Sequence, residues 1–170
     1  MDYEKDVIYG NIPDELKTLD QWVCWQYKKT KDGKTTKMPI DVKTGKAADT
    51  TNSENWSSFD DARNRFEQRK EIAGIGFVFS KNDSYVGIDL DGCRNLQTGE
   101  IAPWAQEFIK LANTYSEVSP SGTGVKMILK GVMPSERGRK KAYKNGAVEM
   151  YARSRFFTIT GEQLEAKDDD

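Results

Sequence analysis

Histidine is absent from this sequence. Its absence excludes a Ser-His-Asp triad, a Cys-His pair and every metal centre with histidine ligands. Any catalysis must therefore use carboxylates, lysine, arginine, tyrosine, hydroxyl groups, or a hard metal ion held by oxygen ligands.

Cysteine and long apolar runs are also scarce. Cys24 and Cys93 are too few for a disulfide framework or a cysteine zinc site. No apolar run approaches the roughly 18 residues that a membrane span needs, and the N-terminal residues lack the apolar stretch of a signal peptide. We therefore expect a cytoplasmic protein that does not associate with membranes.

The charges nearly cancel. The chain has 26 Lys and Arg against 27 Asp and Glu, for a net charge of −1. Its overall electrostatics predict neither a DNA coat nor a membrane-surface binder. A length of 170 residues suits a single domain with its own core. We expect an N-terminal subregion over about 13–73, a subregion with the catalytic motifs over about 74–161, and an acidic tail over 162–170.

Hydrophobic periodicity predicts an α+β domain around a mostly antiparallel sheet. The tetrapeptide K-N-D-S predicts a hairpin turn between the strands 74–80 and 85–91, and the lysine-rich segment 28–46 predicts a long hairpin or loop. The helices are expected on one face of the sheet, through Phe59, Phe66, Trp104, Phe108 and Leu111. The predicted helices span 13–20, 57–70 and 103–114, and the predicted strands span 22–27, 74–80, 85–91, 114–119, 125–131, 146–151 and 155–161.

An Asp-x-Asp motif ends the predicted strand 85–91. Side chains alternate between the two faces of a strand, so Asp89 and Asp91 share one face with Gly87. Like charges this close repel each other, which raises the pKa of one carboxyl unless a cation compensates. Mg²⁺ or Mn²⁺ is suited to this role, because hard cations prefer carboxylate oxygens. Two solvated carboxylates at a strand end are the alternative interpretation.

A loop rich in serine and glycine joins the strands 114–119 and 125–131. Its sequence, S-P-S-G-T-G over 119–124, can direct backbone N–H groups and hydroxyls at an anion. Lys126 lies on the face opposite Val125, where it could reach a triphosphate held by the loop. The spacing fits neither a Walker A loop nor a Rossmann fingerprint. An ordinary hairpin turn is the alternative.

A third carboxylate, Glu149, lies in the predicted strand 146–151. Its neighbours Val148 and Met150 point to the apolar face, so Glu149 points to the opposite face. If this strand lies beside the two aspartates, Glu149 completes a metal site. Otherwise it is a solvated acid on a polar face.

Positive charge is concentrated in the stretches 28–37 and 136–144 and after the Glu149 strand. Lysine and arginine there could follow a phosphate backbone, with binding that depends on salt. Solvated loops are the alternative. The predicted contacts to nucleic acid are Lys37, Arg139, Lys140, Lys141, Arg153 and Arg155.

The order of these motifs resembles a known family. D-L-D-G at 89–92 precedes the loop at 119–124, and V-E-M-Y-x-R-x-R-F-F-T-I-T-G follows at 148–161. This order is similar to the primase-polymerase (Prim-Pol) domains of phages, prophages and plasmids, within the archaeo-eukaryotic primase superfamily. The aromatic strand W-V-C-W-Q-Y at 22–27 also resembles the start of such domains. The similarity extends over about 21–161.

The resemblance implies roles for individual residues. Asp89 and Asp91 match the family's paired metal-binding aspartates, and Glu149 matches its third acidic position, so a bound Mg²⁺ or Mn²⁺ is expected. Lys37, in T-K-M-P, lies in a recurrent N-terminal element. The predicted nucleotide-binding residues, in and just after the loop that matches the family's triphosphate-binding loop, are Ser119, Ser121, Gly122, Thr123, Gly124 and Lys126.

This sequence departs from the family at Lys126. Many members place a histidine there, where it helps to hold the triphosphate. A lysine supplies a fixed positive charge, so phosphate binding can survive, but it is not a neutral hydrogen-bond partner at pH 7. A catalytically weak or inactive relative that binds nucleotide or nucleic acid is therefore one alternative.

The resemblance implies a DNA primase and polymerase that adds nucleotides from nucleoside triphosphates to a 3′-hydroxyl on template DNA, in a metal-dependent reaction. A helicase domain or protein is the expected partner, because such domains are often followed by a helicase segment. A metal-dependent nuclease that uses the same carboxylates is the second alternative.

Overall fold

The computed structural model describes residues 6–133 and 138–164, and these form an α+β fold of two antiparallel sheets and three short helices. The helices are α1 (Asp14–Lys17), α2 (Phe59–Gln68) and α3 (Pro103–Ala112). The strands are β1 (Trp22–Lys29), β2 (Thr35–Ile40), β3 (Gly74–Val78), β4 (Tyr85–Asp91), β5 (Tyr115–Val118), β6 (Val125–Lys130), β7 (Arg139–Tyr143), β8 (Gly146–Tyr151) and β9 (Phe156–Ile159). Within the described ranges, none of the helices has the length and apolar character needed to cross a bilayer.

The first sheet has the strand order β2-β1-β3-β9 and carries α2. Ser58 caps the N-terminus of α2, since its Oγ accepts a hydrogen bond from the Asp61 backbone N–H at 3.1 Å. Phe59, in the first turn of α2, packs edge-on against Trp22 of β1 with ring centroids 5.0 Å apart. Burial of this aromatic cluster fixes α2 on the first sheet.

The second sheet has the order β5-β6-β4-β8-β7 and carries α3 on its apolar face. The predicted strands 85–91, 125–131 and 146–151 are therefore neighbours, as expected. Val86, Ile88 and Leu90 of β4 face α3, so the opposite face of β4 carries Gly87 and the two aspartates. The α3 side chains that pack here are Trp104, Ala105, Phe108, Ile109 and Ala112.

The expectation of one sheet with both helices on the same face is wrong. The predicted hairpin between 74–80 and 85–91 is wrong for the same reason, because β3 lies in the first sheet and β4 in the second. Both edges of β3 are occupied, by β1 and β9. Asp83 redirects the chain, since its carboxylate accepts hydrogen bonds from the Ser80 and Tyr85 backbone N–H groups, each at 2.8 Å.

Three further expectations need correction. Leu111 is 85% exposed, because the stripe of α3 that contacts the sheet runs through Ala105, Ile109 and Ala112 instead. The basic stretch 136–144 contains a strand, β7, although residues 136 and 137 lie outside the described part of the chain. Of the acidic tail, 165–170 also lies outside it, whereas Leu164 donates its N–H to the Ser116 carbonyl at 2.9 Å beside β5.

The two sheets meet where Gly87 faces aromatic rings of the first sheet. The rings of Phe79 and Phe157 pack edge-on with centroids 5.0 Å apart. A Cβ atom at Gly87 would lie 2.5 Å from Phe79 Cζ and 2.6 Å from Phe157 Cε2. Both rings are buried, so neither can move aside without disturbing the core. The absence of a side chain at Gly87 is what allows this close contact.

Gly87→Ala is expected to lower the free energy of unfolding by about 1–3 kcal/mol, because the added methyl overpacks the contact between the sheets. Chemical denaturation measures the change. Gly131→Ala is the matched control, since its Cβ would meet only Leu129 Cδ1, at an ordinary 3.7 Å. Equal denaturation midpoints for the two variants would show that the two sheets can separate at this point without cost.

Candidate active site

A row of charged side chains crosses all five strands of the second sheet. Asp89 on β4 is the cross-strand partner of Lys126 on β6 and of Glu149 on β8. Lys126 is in turn paired with Glu117 on β5, and Glu149 with Lys140 on β7. Direct cross-strand partners project from the same face of a sheet. The charged row therefore runs Glu117, Lys126, Asp89, Glu149, Lys140 on the face opposite α3.

Asp89 is the central member of the charged row. Its side chain is 14% exposed, and one oxygen, Oδ2, lies 3.6 Å from Lys126 Nζ. The other oxygen, Oδ1, is buried without a hydrogen-bond partner. Burial raises the pKa of Asp89, and the neighbouring charges of Asp91 and Glu149 add to this, whereas Lys126 opposes it. Burial of a carboxylate oxygen without a hydrogen-bond donor is unfavourable, and a bound cation would compensate for it.

Glu149 is held by two donors. Lys140 Nζ lies 2.9 Å from Oε1, and the Tyr151 hydroxyl donates to Oε2 at 2.6 Å. Partial burial acts to raise the pKa of Glu149, but the two donors outweigh it and the pKa lies below its ordinary value. Burial of the Tyr151 hydroxyl, together with the Glu149 carboxylate beside it, raises the pKa of Tyr151 to about 12. Glu149 is therefore a carboxylate at neutral pH.

Asp91 connects the carboxylates to the serine-glycine loop. It lies two residues beyond Asp89, at the end of β4 and on the same face. A Cβ atom built on Gly124 of the loop would be 3.6 Å from Asp91 Oδ1. The structure thus brings the three predicted acids to one face and sets the loop beside them.

The carboxylates do not form a finished metal cage. Within 6–133 and 138–164, no three His, Cys, Asp or Glu side chains are grouped so that they could hold a metal ion as they stand. Instead, the ammonium groups of Lys126 and Lys140 lie against Asp89 and Glu149. The donor set nevertheless suits a hard divalent cation, because Asp89 Oδ1 has no partner and all the ligands are carboxylate oxygens.

The loop over 119–124 is a tight turn lined with hydroxyls. The Ser119 N–H donates to the Gly124 carbonyl at 2.9 Å, and Gly122 adopts a φ of +78°, which glycine tolerates without strain. The hydroxyls of Ser119, Ser121 and Thr123 form a chain with separations of 3.0 and 2.9 Å. Ser119 is buried, whereas Ser121 and Thr123 are exposed and accessible to a ligand.

Arg94 supports this loop, and the sequence analysis did not identify it. One guanidinium nitrogen donates to the Gly122 carbonyl at 2.8 Å, and the Cys93 and Arg94 N–H groups donate to the Thr123 carbonyl, each at 3.0 Å. These bonds fix the loop against the segment that follows Asp91. The role of Arg94 could not be inferred from the sequence, because the carbonyl that it contacts is 28 residues away in the chain.

Glu117, also not identified from the sequence, ties the second sheet to the first. It is 1% exposed and accepts hydrogen bonds from the Thr160 and Gly161 N–H groups at 3.0 Å, just beyond β9. The Tyr115 hydroxyl donates to it at 2.6 Å. Burial raises the pKa of Glu117, while these donors and the charge of Lys126 favour the carboxylate.

Lys126 points into a cleft between the two sheets. Its Nζ lies 4.4 Å from the centroid of the Phe157 ring. A cleft of about 360 Å³ is bounded by Lys126, by Phe156 and Thr158 of β9, and by Tyr27 and Lys37 of the β1–β2 hairpin, together with Thr35 and Thr36. The predicted positions Lys37 and Lys126 thus line the same cleft.

The structure separates the other predicted nucleic-acid contacts. Arg139 and Lys141 share the α3 side of β7, because their partners are Met150 and Val148, so only Lys140 lies on the carboxylate face. Arg153 is partly buried, whereas Arg155 is exposed. The Arg155 guanidinium lies 5.1 Å from the Tyr151 ring centroid. The six basic residues therefore do not form one continuous surface.

Comparison with known proteins agrees with the resemblance carried by the motifs. No protein-family model matches the chain. A DNA primase-polymerase of Nitratiruptor phage NrS-1 is 36% identical over 155 residues, which are 91% of this chain. The chain spans about a fifth of the length of that relative, 21%. The matched region contains the aspartates, the serine-glycine loop and the Glu149 strand, and the chain belongs to the phage-type primase-polymerase domains.

Proposed function

We propose that this domain is a nucleotidyltransferase that extends a nucleic-acid 3′-hydroxyl on a DNA template, with nucleoside triphosphates as substrates. The setting is replication of a phage, prophage or plasmid, together with a helicase domain or protein. The observation that carries the proposal is the placement of Asp89, Asp91 and Glu149 on one face beside a hydroxyl-lined loop. The similarity to a protein named a DNA primase-polymerase supports it.

Asp89, Asp91 and Glu149 would hold Mg²⁺ or Mn²⁺. When bound, the divalent cation supplies positive charge that activates the attacking hydroxyl and stabilises the leaving pyrophosphate. The protein provides two further cations of its own, Lys126 and Lys140, which already neutralise Asp89 and Glu149. These lysines reduce the repulsion among the carboxylates, so the domain can fold before substrate binds.

The loop over 119–124 would bind the triphosphate. Its exposed hydroxyls, on Ser121 and Thr123, are donors for phosphate oxygens. Arg94 keeps the turn in place from behind. Lys126, directly after the loop, adds a positive charge on the carboxylate face. The role of these residues is positioning and charge neutralisation, so the reaction needs neither a covalent intermediate nor a histidine.

A primer-extension assay tests the function and separates it from the alternatives. The protein is incubated with a labelled primer on a DNA template, with Mg²⁺ or Mn²⁺, with and without nucleoside triphosphates. Extension that requires the triphosphates is the expected result, and reactions without primer test de novo synthesis. Shortening of the primer without nucleotides would identify a nuclease. Nucleotide binding without either reaction would identify an inactive relative.

Lys126→Met is expected to weaken binding of a nucleoside triphosphate with Mg²⁺ by about tenfold to a hundredfold, as for loss of a charged hydrogen bond. Methionine keeps an apolar stem over Phe157, which matters because the Lys126 side chain is only 14% exposed. Lys126→His should retain substantial affinity, since the family often places histidine here. Calorimetric titration measures both variants, and equal affinity of Lys126→Met and wild type would exclude Lys126 from the phosphate site.

A further inference from the structure

The β1–β2 hairpin presents aromatic and basic side chains to the cleft. Cross-strand partners share a face, so the pairs Tyr27–Lys37 and Lys29–Thr35 project to the same side of the hairpin. The Trp25–Pro39 pair continues this side toward the centre of the sheet. We refer to this surface as the hairpin face, formed by Trp25, Tyr27, Lys29, Thr35, Lys37 and Pro39.

Tyr27 is the exposed ring of the hairpin face. It is 37% exposed and packs edge-on against Trp25, which is only 4% exposed, with centroids 5.0 Å apart. The buried Trp25 therefore holds the Tyr27 ring from beneath. A ring fixed in this way is suited to stack on a flat ligand, because little conformational entropy remains to be lost.

Tyr27 also lines two concave regions of the surface. One is the cleft of about 360 Å³ that contains Lys126. The other, of about 810 Å³, extends from Trp25 and Tyr27 to Pro120 of the serine-glycine loop and Thr160. A ligand on the Tyr27 ring would therefore be in contact with both regions, one of which contains Lys126.

Positive charge accompanies the ring. The segment 28–37 contains five lysines and one aspartate, which is a local net charge of +4 (five minus one) in a chain of net charge −1. Lys37 Nζ lies 5.9 Å from the Trp25 ring centroid, so aromatic and cationic groups adjoin directly. Exposed rings interleaved with lysines form the surface that binds single-stranded nucleic acid, by stacking on bases and attracting phosphates.

We infer that the hairpin face binds the single-stranded template, with Tyr27 stacking on a base and Lys29 and Lys37 contacting phosphates. The inference rests on the proposed function in one respect, namely that the bound strand is the template. Binding itself requires no catalysis. A strand on the hairpin face would share the cleft with Lys126, which lies directly after the loop over 119–124.

Fluorescence anisotropy of a labelled oligothymidylate, without nucleotides or divalent metal, tests the stacking role. Tyr27→Leu is expected to weaken binding by about five- to 150-fold, as for loss of one base–aromatic stack, whereas Tyr27→Phe should bind as wild type does. Tyr143→Leu is the matched control. Tyr143 is also 37% exposed, but it packs on Trp104 and Phe108 on the α3 side.

The salt dependence of the same binding tests the lysines. Lys37→Ala is expected to reduce the slope of log affinity against log salt by about 0.7, as for loss of one phosphate contact on a single strand. Lys28→Ala removes the same charge from the same hairpin, but Lys28 is paired with Thr36 and projects to the opposite side. The salt slope of Lys28→Ala should therefore equal that of wild type.

Wild-type affinity in Tyr27→Leu, or equal salt slopes for Lys37→Ala and Lys28→Ala, would overturn the inference even if primer extension proceeds normally. An unlabelled duplex that competes as well as single strand would overturn the stacking role. Conversely, the expected binding losses in a protein that does not extend primers would support single-strand binding by the hairpin face, while overturning the proposed function and with it the identification of that strand as a template. Thermal denaturation checks that each variant is folded. If Tyr27→Leu is unfolded, the salt slopes of Lys37→Ala and Lys28→Ala test the inference instead.

Discussion

Asp89→Asn is expected to reduce the rate of nucleotide incorporation by about 10³-fold or more while the domain stays folded. Asparagine keeps the shape of the side chain but removes the charge at the centre of the charged row. A carboxylate that holds a catalytic cation contributes several kcal/mol to the transition state, and about 4 kcal/mol corresponds to 10³-fold in rate. Single-nucleotide incorporation on a primed template measures the effect.

Stability should change much less, by at most about 1 kcal/mol, because two effects oppose each other. The neutral side chain removes the repulsion that Asp91 and Glu149 exert on a buried charge, but Lys126 loses its partner. Asp60→Asn is the matched control. Asp60 is exposed in the first turn of α2, on the first sheet, so its loss should leave incorporation unchanged. Wild-type incorporation by Asp89→Asn would remove this carboxylate from the reaction.

Glu117→Ala is expected to lower the free energy of unfolding by about 3–5 kcal/mol, the largest stability effect predicted for this chain. The carboxylate is almost completely buried, and its loss leaves the Thr160 and Gly161 N–H groups and the Tyr115 hydroxyl without an acceptor. The backbone hydrogen bonds from Val118 to Glu162 and from Leu164 to Ser116 would remain, so the loss is that of the side-chain contacts. Chemical denaturation with an unchanged m-value measures the loss.

Glu117→Gln separates charge from shape. The amide keeps the volume and one acceptor oxygen, but its NH₂ group meets backbone donors, so a loss of about 1–3 kcal/mol is expected. Glu107→Ala provides the control, because Glu107 is exposed on α3 and its removal should change stability by no more than about 0.5 kcal/mol. If Glu117→Ala were as stable as Glu107→Ala, the Glu117 carboxylate would contribute nothing to holding the two sheets together.

Glu117 is also the cross-strand partner of Lys126 in the candidate site. Lys126 lies between two carboxylates, with Glu117 on one neighbouring strand and Asp89 on the other. The side chain that is proposed to meet the triphosphate is thus the cross-strand neighbour of a residue that also joins the sheets.

Much of the local structure followed from the sequence alone. The alternation in 85–91 placed Asp89 and Asp91 on one side of β4, and the same period placed Glu149 away from Val148 and Met150. The start of α3 at Pro103 was also predicted correctly. These features depend on neighbouring residues, so the information that specifies them lies within a few positions of the chain.

The pairing partner of each strand could not be predicted from neighbouring residues. Periodicity shows which face of β3 or β4 is apolar, but it does not show whether the two strands pair with each other. The hairpin predicted at K-N-D-S failed because Asp83 turns the chain into another sheet. The strand β7 was hidden in a basic stretch because edge strands can be charged throughout.

The sequence by itself determined the inventory of the candidate site, namely three acids, a serine-glycine loop and a lysine after it, and the family to which the chain belongs. Only the tertiary structure decided that Glu149 lies beside Asp89, that Arg94 supports the loop, and that Lys37 and Lys126 line one cleft. Such contacts join positions tens of residues apart and arise from the pairing of strands and the packing of two sheets. Their physical basis is burial and hydrogen bonding across long separations, which leave no periodic trace in the chain.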